Sequence, residues 1–329
     1  MLILAVSTSF PDQTLKNEDF PGLQGVQSRM FSGVKERRHV QRGESSVDLF
    51  EKALRKLDHQ RLGEVEAIFT NVSVPDFPFT GCGAMIADRM GYRPQLVMDL
   101  HNGGCVSFVV LLQYAKVMMA AQGLRRAIVC IAQTAGGRIF SHPINREKPQ
   151  SAIPGDGAGV ALVSLDESDR DNAEFEVIHS RVKCHPEYAW DMKIEYPDGR
   201  SYWEPGEGPA CIEFSEEKVS SIIMRGNRLV PQVMHEVLKE SRVRSQELAG
   251  LVTNQPNPYF LRNWRESLQL GEEKHFHTFE NYANLFQAGI PVNLEVALQS
   301  GRLQSGDSVM LAGFSHAGDY SAAALLRKL

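Results

Sequence analysis

Two kinds of apolar pattern alternate along this chain. Short runs of nearly continuous apolar residues predict buried strands at 1–10, 67–72, 96–100, 127–132, 160–163, 250–253 and 308–314. Longer segments with apolar residues every three or four positions predict helices at 47–57, 81–90, 106–121, 219–240, 258–268 and 284–298. Apolar strands that alternate with helices are typical of largely parallel sheets covered on both faces. The pattern therefore predicts a layered α/β protein.

Two pairs of segments resemble each other at nearly the same offset. Residues 66–71 (EAIFTN) match 249–254 (AGLVTN), and residues 127–132 match 309–314, each followed by an Ala-Gly pair. Matches at one spacing predict duplicated halves, which we place at residues 1–168 and 169–329. Residues 179–211, rich in Tyr, Trp, Pro and Gly, predict a connection or a lid within the second half.

Composition narrows the class of protein. The 329 residues are 43% hydrophobic and 23% charged with a net charge of −5, so no basic field predicts a nucleic-acid partner. The longest uninterrupted apolar run, 106–112, is far shorter than the roughly 20 residues that cross a bilayer, and we expect no membrane span. The N-terminus lacks the basic leader of a signal peptide, and we expect it to form the first strand. The five cysteines show neither paired nor metal-ligand spacing, which predicts no metal site and a reducing, cytoplasmic setting.

The segment 98–110 (MDLHNGGCVSFVV) carries the candidate chemistry. Cys105 follows two glycines, after a predicted strand and before a predicted helix. The first N–H groups of a helix have no partner within the helix, so they can stabilise a thiolate or an oxyanion beside them. We therefore predict that Cys105 is a nucleophile, although a cysteine among apolar residues is more often a core residue. Cys130, inside a predicted strand, is assigned to the core.

Several motifs occur in an order that resembles one known family. They are Gly33–Arg37 (GVKER), Phe77-Pro78, Met98–Cys105, Gly155–Gly159 (GDGAG), Leu251–Asn257, and Tyr282–Asn284 with Gly289–Pro291. Together they resemble the β-ketoacyl-acyl-carrier-protein synthases III of the thiolase superfamily, over nearly the whole chain. The resemblance implies a thiolase-like α/β fold of two duplicated halves stacked in five layers (αβαβα), and a homodimer. We interpret the GDGAG motif as a tight turn, because it lacks the ending of a phosphate loop and precedes a strand.

The resemblance also implies a two-step reaction. Cys105 would take an acyl group from a thioester of coenzyme A or of an acyl-carrier protein, with no tightly bound cofactor. The acyl-enzyme would then react with a second substrate, usually a malonyl thioester that loses carbon dioxide to give the attacking carbanion.

One departure from the family concerns the second half-reaction. The family has a histidine where this chain has Asn254, in Asn-Gln-Pro-Asn. An amide cannot take a proton near neutral pH, but its NH2 can donate to a developing enolate, and the retained Asn284 can do the same. His316 lies where the family has a glycine-rich turn whose N–H completes the oxyanion hole. We predict that the N–H groups of Cys105 and His316 form that hole, and we weigh the imidazole of His316, ahead of His101, as a base.

Substrate binding is altered as well. By resemblance Asn257 would hold the pantetheine arm. The family's adenine-binding tryptophan and arginine are replaced by Gln27 and Phe31, with Arg29 nearby as a substitute. Arg262 and Arg265 lie three residues apart on a predicted helix, and this spacing predicts either a basic face for an acidic carrier protein or phosphate, or an ordinary solvated face.

Three functions remain open at this point. The favoured one is an acyltransferase resembling synthase III that condenses the acyl group with a malonyl-type thioester in a specialised pathway. The second is transfer to an oxygen or nitrogen acceptor without decarboxylation. The third is a non-catalytic subunit paired with an active homologue, against which the retention of Cys105 argues.

Overall fold

The structure is a computed structural model, and it describes residues 1–24, 33–57, 64–77, 79–101, 103–192, 194–212 and 216–329. Its strands are β1 (Leu2–Ser9), β2 (Thr14–Lys16), β3 (Glu36–Arg38), β4 (Ala67–Val72), β5 (Leu96–Leu100), β6 (Arg126–Gln133), β7 (Gly157–Ser164), β8 (Phe175–Cys184), β9 (Ile194–Glu195), β10 (Cys211–Ile212), β11 (Leu248–Thr253), β12 (His275–Phe276), β13 (Ser308–Ser315) and β14 (Tyr320–Lys328). Its α-helices are α1 (Ser46–Leu54), α2 (Gly83–Met90), α3 (Ser107–Gln122), α4 (Pro143–Arg146), α5 (Glu216–Ser241), α6 (Pro258–Ser267), α7 (Phe279–Tyr282) and α8 (Gly289–Gln299).

The two halves of the chain build sheets of the same topology. The strand order is β5-β4-β6-β7-β1 in the first sheet and β12-β11-β13-β14-β8 in the second. In each sheet the first three strands are parallel, and the last two pairings are antiparallel. A short antiparallel pairing between β1 and β8 joins the two sheets. The identical order and strand directions confirm the predicted duplication. The boundary at 168/169 stays a prediction, and it falls in the 3₁₀ segment Glu167–Asn172 between β7 and β8.

Helices cover both faces of each sheet, which produces five layers. Side chains of α3 and α8 share one hydrophobic cluster with the inner faces of both sheets. The outer face of the first sheet packs against α1 and α2, and that of the second against α5 and α6. Along β6, for example, Val129 points to the central layer and Ile128 to the outer helices. Because both faces are buried, these strands are apolar at every position and their sequences do not alternate.

The central helix α3 explains why one segment looks like a membrane span. Residues Gly104–Gln122 have a mean hydropathy of 1.6 and are, by length and composition, apolar enough to cross a bilayer. The prediction of no uninterrupted apolar stretch of that length still holds, because Gln113 and Lys116 interrupt the segment. In the fold this helix packs between the two sheets and half of the segment is buried, a position that itself requires apolar residues around the whole helix.

Two predicted segments in the second half differ from the structure. The helix predicted over 284–298 begins only at Gly289, because the Asn284 side chain accepts the N–H of Phe286 (3.0 Å) and thereby favours a turn over a helix. Residues 179–184, predicted as part of a connection or lid, belong to β8 and pair with β14.

The GDGAG motif also differs from its prediction as a tight turn. Gly157 begins β7, so only Gly155 and Asp156 lie in the connection. The buried carboxylate of Asp156 accepts the backbone N–H groups of Val40 (3.0 Å) and Gly136 (2.8 Å). The motif therefore ties the start of β7 to two neighbouring loops.

Candidate active site

Cys105 lies at a sharp turn between strand and helix, as predicted. β5 ends at Leu100, a 3₁₀ turn covers Gly104–Val106, and α3 follows directly. Gly103 and Gly104 have φ angles of 102° and 47°. These left-handed conformations favour glycine and let the chain reverse direction just before the nucleophile.

Three hydrogen-bond donors meet at the thiol. The side chain of Asn254 and the backbone N–H groups of His316 and of Cys105 itself are donors beside Sγ, and each acts to lower the pKa of the thiol. Burial nevertheless raises the pKa of the Cys105 thiol to about 12, with a further contribution from the charge of Asp319, and the three donors offset only part of this. Burial therefore opposes formation of the thiolate, and activation of the thiol by the helix start stays a prediction.

The side chain of Asn254 is held by the neighbouring strand. Asn254 follows β11, is only 1% exposed, and its Nδ2 lies 3.5 Å from the carbonyl oxygen of Phe314. Its Oδ1 is buried without a hydrogen-bond partner among the described residues. A β-carbon at Gly313 would overlap that oxygen and approach Cγ to 3.0 Å. The orientation that directs Nδ2 at the thiol thus depends on a glycine in β13.

Gln255, which the sequence analysis did not single out, holds the loop that carries Asn284. Its Nε2 donates to the carbonyl oxygen of Ala283, and its Oε1 accepts from the N–H of Thr278 (3.0 Å) and from Nδ2 of Asn293 (2.9 Å). It is fully buried. Because all of these partners are also buried, Gln255 fixes the loop relative to β11.

Asn284 lies next to the nucleophile turn but does not bond to the thiol. Its backbone N–H donates to Ile153 (3.0 Å), and its Oδ1 accepts the N–H of Phe286, so any donation from this side chain comes from Nδ2. Ala283 and Phe286 have φ angles of 54° and 46°, conformations that cost energy in residues other than glycine. The 3₁₀ turn after Asn284 packs against the turn of Cys105.

The imidazole ring of His316, as well as its backbone N–H, lies at the site. Its φ is 45°, its ring Nδ1 lies 3.1 and 3.0 Å from the two carboxylate oxygens of Asp319, and 42% of its side chain is exposed. A β-carbon at Gly104 would come within 3.0 Å of Nε2, so the other edge of the ring faces the nucleophile turn. Burial acts to raise the pKa of Asp319, but the hydrogen bond and charge of His316, with help from Ser315, bring it below its ordinary value.

The predicted binding residues are only partly brought together. Asn257 is buried and caps α6, its Oδ1 accepting the N–H of Phe260 (3.2 Å). Arg262 is 69% exposed and pairs with Glu266 at 2.7 Å, whereas Arg265 is half-buried with its Nε buried and unpartnered within the described part of the chain. The basic face therefore stays a prediction, with Arg262 in an exposed ion pair and Arg265 half-buried.

The remaining candidate residues are Arg29 and His101. Arg29, together with Gln27 and Phe31, falls outside the described residues. His101 is exposed just after β5. All five cysteines are free, and among the described residues no group of three or more His, Cys, Asp or Glu could hold a metal ion.

Asp319 was missed by the sequence analysis. A signal existed, because it follows His316 by three residues in the same loop, a spacing at which a carboxylate can reach an imidazole. The signal is weak, since the contact depends on the turn geometry of the loop between β13 and β14.

Comparisons with known proteins agree with this geometry. The model of the family "3-Oxoacyl-[acyl-carrier-protein (ACP)] synthase III" matches residues 98–185, and the model of its C-terminal region matches residues 238–328. The two ranges together span more than half of the chain. They contain Cys105, Asn254, Asn284 and His316.

Curated relatives and solved structures extend the likeness to the whole chain. The β-ketoacyl-[acyl-carrier-protein] synthase III of Aliarcobacter butzleri is 24% identical over 327 residues, covering 94% of this chain and 92% of its own. That of Desulfitobacterium hafniense strain DCB-2 is 26% identical over 333 residues, covering 95% and 93%. The synthase III of Thermus thermophilus superposes with a TM-score of 0.82 at 24% identity over 99% of each chain. OleA of Xanthomonas campestris, solved with lauric acid and lauroyl-CoA, superposes with a TM-score of 0.81 at 15% identity, covering 99% of this chain and 98% of its own.

A duplicated five-layer fold with a cysteine at the strand-to-helix turn defines an acyltransferase of the thiolase superfamily. Within that superfamily, this chain belongs to the 3-oxoacyl-[acyl-carrier-protein] synthase III family.

Proposed function

We propose that this acyltransferase loads an acyl group onto Cys105 from a thioester of coenzyme A or of an acyl-carrier protein and then condenses it with a malonyl-type thioester. The observation that carries the proposal is the arrangement of three donors around one thiol at a helix start. Attack by sulfur on a thioester carbonyl places negative charge on the carbonyl oxygen, and preorganised N–H groups at that position lower the barrier. The backbone N–H groups of Cys105 and His316 fit this task.

In the second half-reaction Asn254 and Asn284 serve as hydrogen-bond donors. Loss of carbon dioxide from a malonyl thioester leaves an enolate, whose oxygen needs donors and not a base. Asn254 is already directed at the sulfur that carries the acyl group, so its NH2 lies where the second substrate must approach. Condensation is therefore compatible with an asparagine in place of the family's histidine.

Condensation is tested by measuring the released carbon dioxide and the 3-oxoacyl product in the same reaction. The protein is loaded with an acyl-CoA, given malonyl-CoA or malonyl-acyl-carrier protein labelled in the free carboxyl group, and analysed for labelled carbon dioxide and for the 3-oxoacyl product. We expect both in equal amounts from the wild type and neither from Cys105→Ala. Cys184→Ala is the control, because Cys184 is an exposed free thiol. Loading without release of carbon dioxide would contradict condensation.

One observation favours transfer to an oxygen or nitrogen acceptor as a second candidate. An alcohol or amine must lose a proton during attack, and the imidazole of His316 beside Asp319 is a group that can accept one. Loading with no release of carbon dioxide, followed by discharge to an added alcohol or amine, would support this candidate. No adduct at all would support a non-catalytic subunit.

A homodimer is part of the proposal. β5 forms the open edge of the first sheet among the described strands, and an unpaired edge invites pairing with another chain. Val97 on this edge is 37% exposed, and Phe77 and Phe79 beside it are 55% and 93% exposed. Pro78, the other residue of the Phe77-Pro78 motif, lies outside the described residues. Sedimentation should give twice the chain mass, and a monomer would contradict this part. A cytoplasmic location also stays a proposal.

A further inference from the structure

The groups that bond to the Cys105 thiol cannot remove its proton. The Nδ2 of Asn254 and the two backbone N–H groups are all donors. Because burial keeps the thiol protonated at neutral pH, loading an acyl group requires a base that these donors do not provide. The base must reach the turn that carries Cys105.

His316 is the imidazole that lies against this turn. The Cε1 and Nε2 atoms of its ring would contact a β-carbon at Gly104 at 2.9 and 3.0 Å, one residue before the nucleophile. The residue adopts a φ of 45°, a conformation that costs a histidine energy and that persists only where surrounding contacts impose it. The same conformation brings the backbone N–H to Sγ and the ring edge to Gly104.

Asp319 supplies those contacts. Its carboxylate oxygens lie 3.1 and 3.0 Å from Nδ1 of His316, and it is itself fixed by the Ser315 hydroxyl (2.9 Å) and the Tyr320 N–H (3.1 Å). A carboxylate at Nδ1 holds the proton on that nitrogen and leaves the lone pair on Nε2. The ring is thereby both oriented and set in the tautomer that accepts a proton on the side of the nucleophile.

Building on the proposed nucleophile Cys105, we infer that Asp319 is a positioning residue that makes Nε2 of His316 the proton acceptor for the thiol. In the loading step the Sγ–H proton moves to Nε2, sulfur bonds to the acyl carbon, and the bond between that carbon and the thiol sulfur of coenzyme A breaks. The proton on Nε2 then passes to the leaving thiolate. The products are the Cys105 acyl thioester and free coenzyme A thiol.

Other titratable groups around this loop bond to groups other than the His316 ring. Arg225 donates to the carbonyl oxygen of Ala317 (2.7 Å) and pairs with Asp191 (2.6 Å). The ring of His185 bonds to the Ser321 hydroxyl at 2.9 Å. Tyr320 and Cys184 interact with each other, one residue beyond Asp319.

The direction of the rate change in Asp319→Asn distinguishes a positioning role of Asp319 from a purely electrostatic effect of its charge on the thiol. The charge of Asp319 raises the pKa of the Cys105 thiol, so its removal alone would make the thiol react faster. If Asp319 instead orients the base, Asp319→Asn slows the reaction even though it removes an unfavourable charge. Asparagine keeps the size of the side chain and can still accept from Ser315.

The experiment measures alkylation of Cys105 by iodoacetamide between about pH 6 and about pH 9.5, the range in which imidazoles and thiols titrate. All proteins carry Cys184→Ala, and the variants are Asp319→Asn, His316→Ala and the control Asp12→Asn, whose side chain is 97% exposed. We expect Asp319→Asn to slow alkylation at neutral pH roughly 10-fold or more, and His316→Ala roughly 100-fold, with the control unchanged. The wild-type rate should rise less steeply with pH than the His316→Ala rate, because the variant reacts only through the free thiolate.

Equal or faster alkylation of Asp319→Asn with an unchanged pH profile would overturn the inference. His316→Ala retains the backbone N–H and alters a partly exposed side chain, so it tests the same claim if Asp319→Asn does not fold. Acylation of the wild type by acetyl-CoA and by lauroyl-CoA is measured in parallel. Normal alkylation profiles without acylation would refute the proposed function and leave the proton transfer intact.

Discussion

Gly313 on β13 lies directly against the side-chain amide of Asn254, with no room for a β-carbon between them. This contact keeps Oδ1 on the side of the sheet and turns Nδ2 toward Cys105. Asn254 is thus aligned by a residue that has no side chain. This contact can be tested by substituting either Gly313 or Asn254.

Gly313→Ala should push the amide away from the thiol. Overpacking a buried site costs about 1 to 3 kcal/mol, and the displaced Nδ2 should slow acyl loading as well. Urea unfolding and the rate of adduct formation measure the two effects. Gly289→Ala is the matched control, because a β-carbon there would meet Cα of Asn254 at an ordinary 3.4 Å.

The contact predicts coupling between the two positions. In an Asn254→Ala background the overlap with the amide is gone and the closest remaining contact is Cγ1 of Val106 at 3.2 Å, so Gly313→Ala should then cost less stability than in the wild type. Additive free energies of unfolding in this double-mutant cycle would show that the amide is not what excludes a side chain at position 313.

Asn254→Asp should suppress loading further. A second carboxylate near Sγ raises the pKa of the thiol and replaces a donor with an acceptor. We expect loading to slow roughly 10-fold or more, in line with the loss of one oriented donor. Stopped-flow release of coenzyme A measures it. Asn172→Asp, on the exposed surface, carries the same change of charge and should leave the rate unaltered.

Gln255→Leu should slow the second half-reaction and leave the first nearly unchanged. It leaves the Ala283 carbonyl and the Thr278 N–H without this partner and removes one of the two bonds that Nδ2 of Asn293 donates, which costs about 2 to 4 kcal/mol. The loop of Asn284 loosens, whereas the turn of Cys105 does not depend on these bonds. We expect loading close to wild type and slower discharge, with the exposed Gln246→Leu as control. Equal losses in both steps would contradict this division.

Stability should fall in mild acid because of buried histidines. Burial, helped by His277 and Arg265, lowers the pKa of His275 to about 3, and burial lowers that of His39 to about 3 as well. The unfolded chain binds these protons near pH 6.5, so between about 6.5 and about 3 protonation favours unfolding, by up to about 1.4 kcal/mol per pH unit for each group. Asp156, whose pKa burial raises to about 7, acts in the opposite direction. Urea unfolding from pH 7 to pH 5 should therefore show a shallower acid loss in His275→Gln than in the wild type.

The sequence predicted those parts of the molecule that depend on local pattern. Two glycines between apolar segments located Cys105, and the repeated apolar strands indicated the duplicated halves. β14 was not predicted, because its Ala-rich sequence becomes a strand only by pairing with β13 and β8. The half-burial of Arg265 was not predicted, because tertiary packing sets it and spacing along a helix does not reveal it.

The candidate site shows the same limit. Asn254 and Asn284 could be located by resemblance, but not their orientation. The orientation of Asn254 depends on Gly313, which has no side chain to displace the amide. That of Asn284 depends on the buried hydrogen bonds of Gln255. The contact of Asp319 with His316 exists only because the loop bends through a positive φ.

The central claim is that Cys105 carries the acyl group. The most direct measurement is intact-protein mass spectrometry after incubation with acetyl-CoA and with lauroyl-CoA, followed by peptide mapping of the modified cysteine. We predict one acyl group per chain for at least one donor, located on Cys105, lost in Cys105→Ala and retained in Cys184→Ala. An unmodified chain with both donors, or an acyl group on another residue, would contradict it.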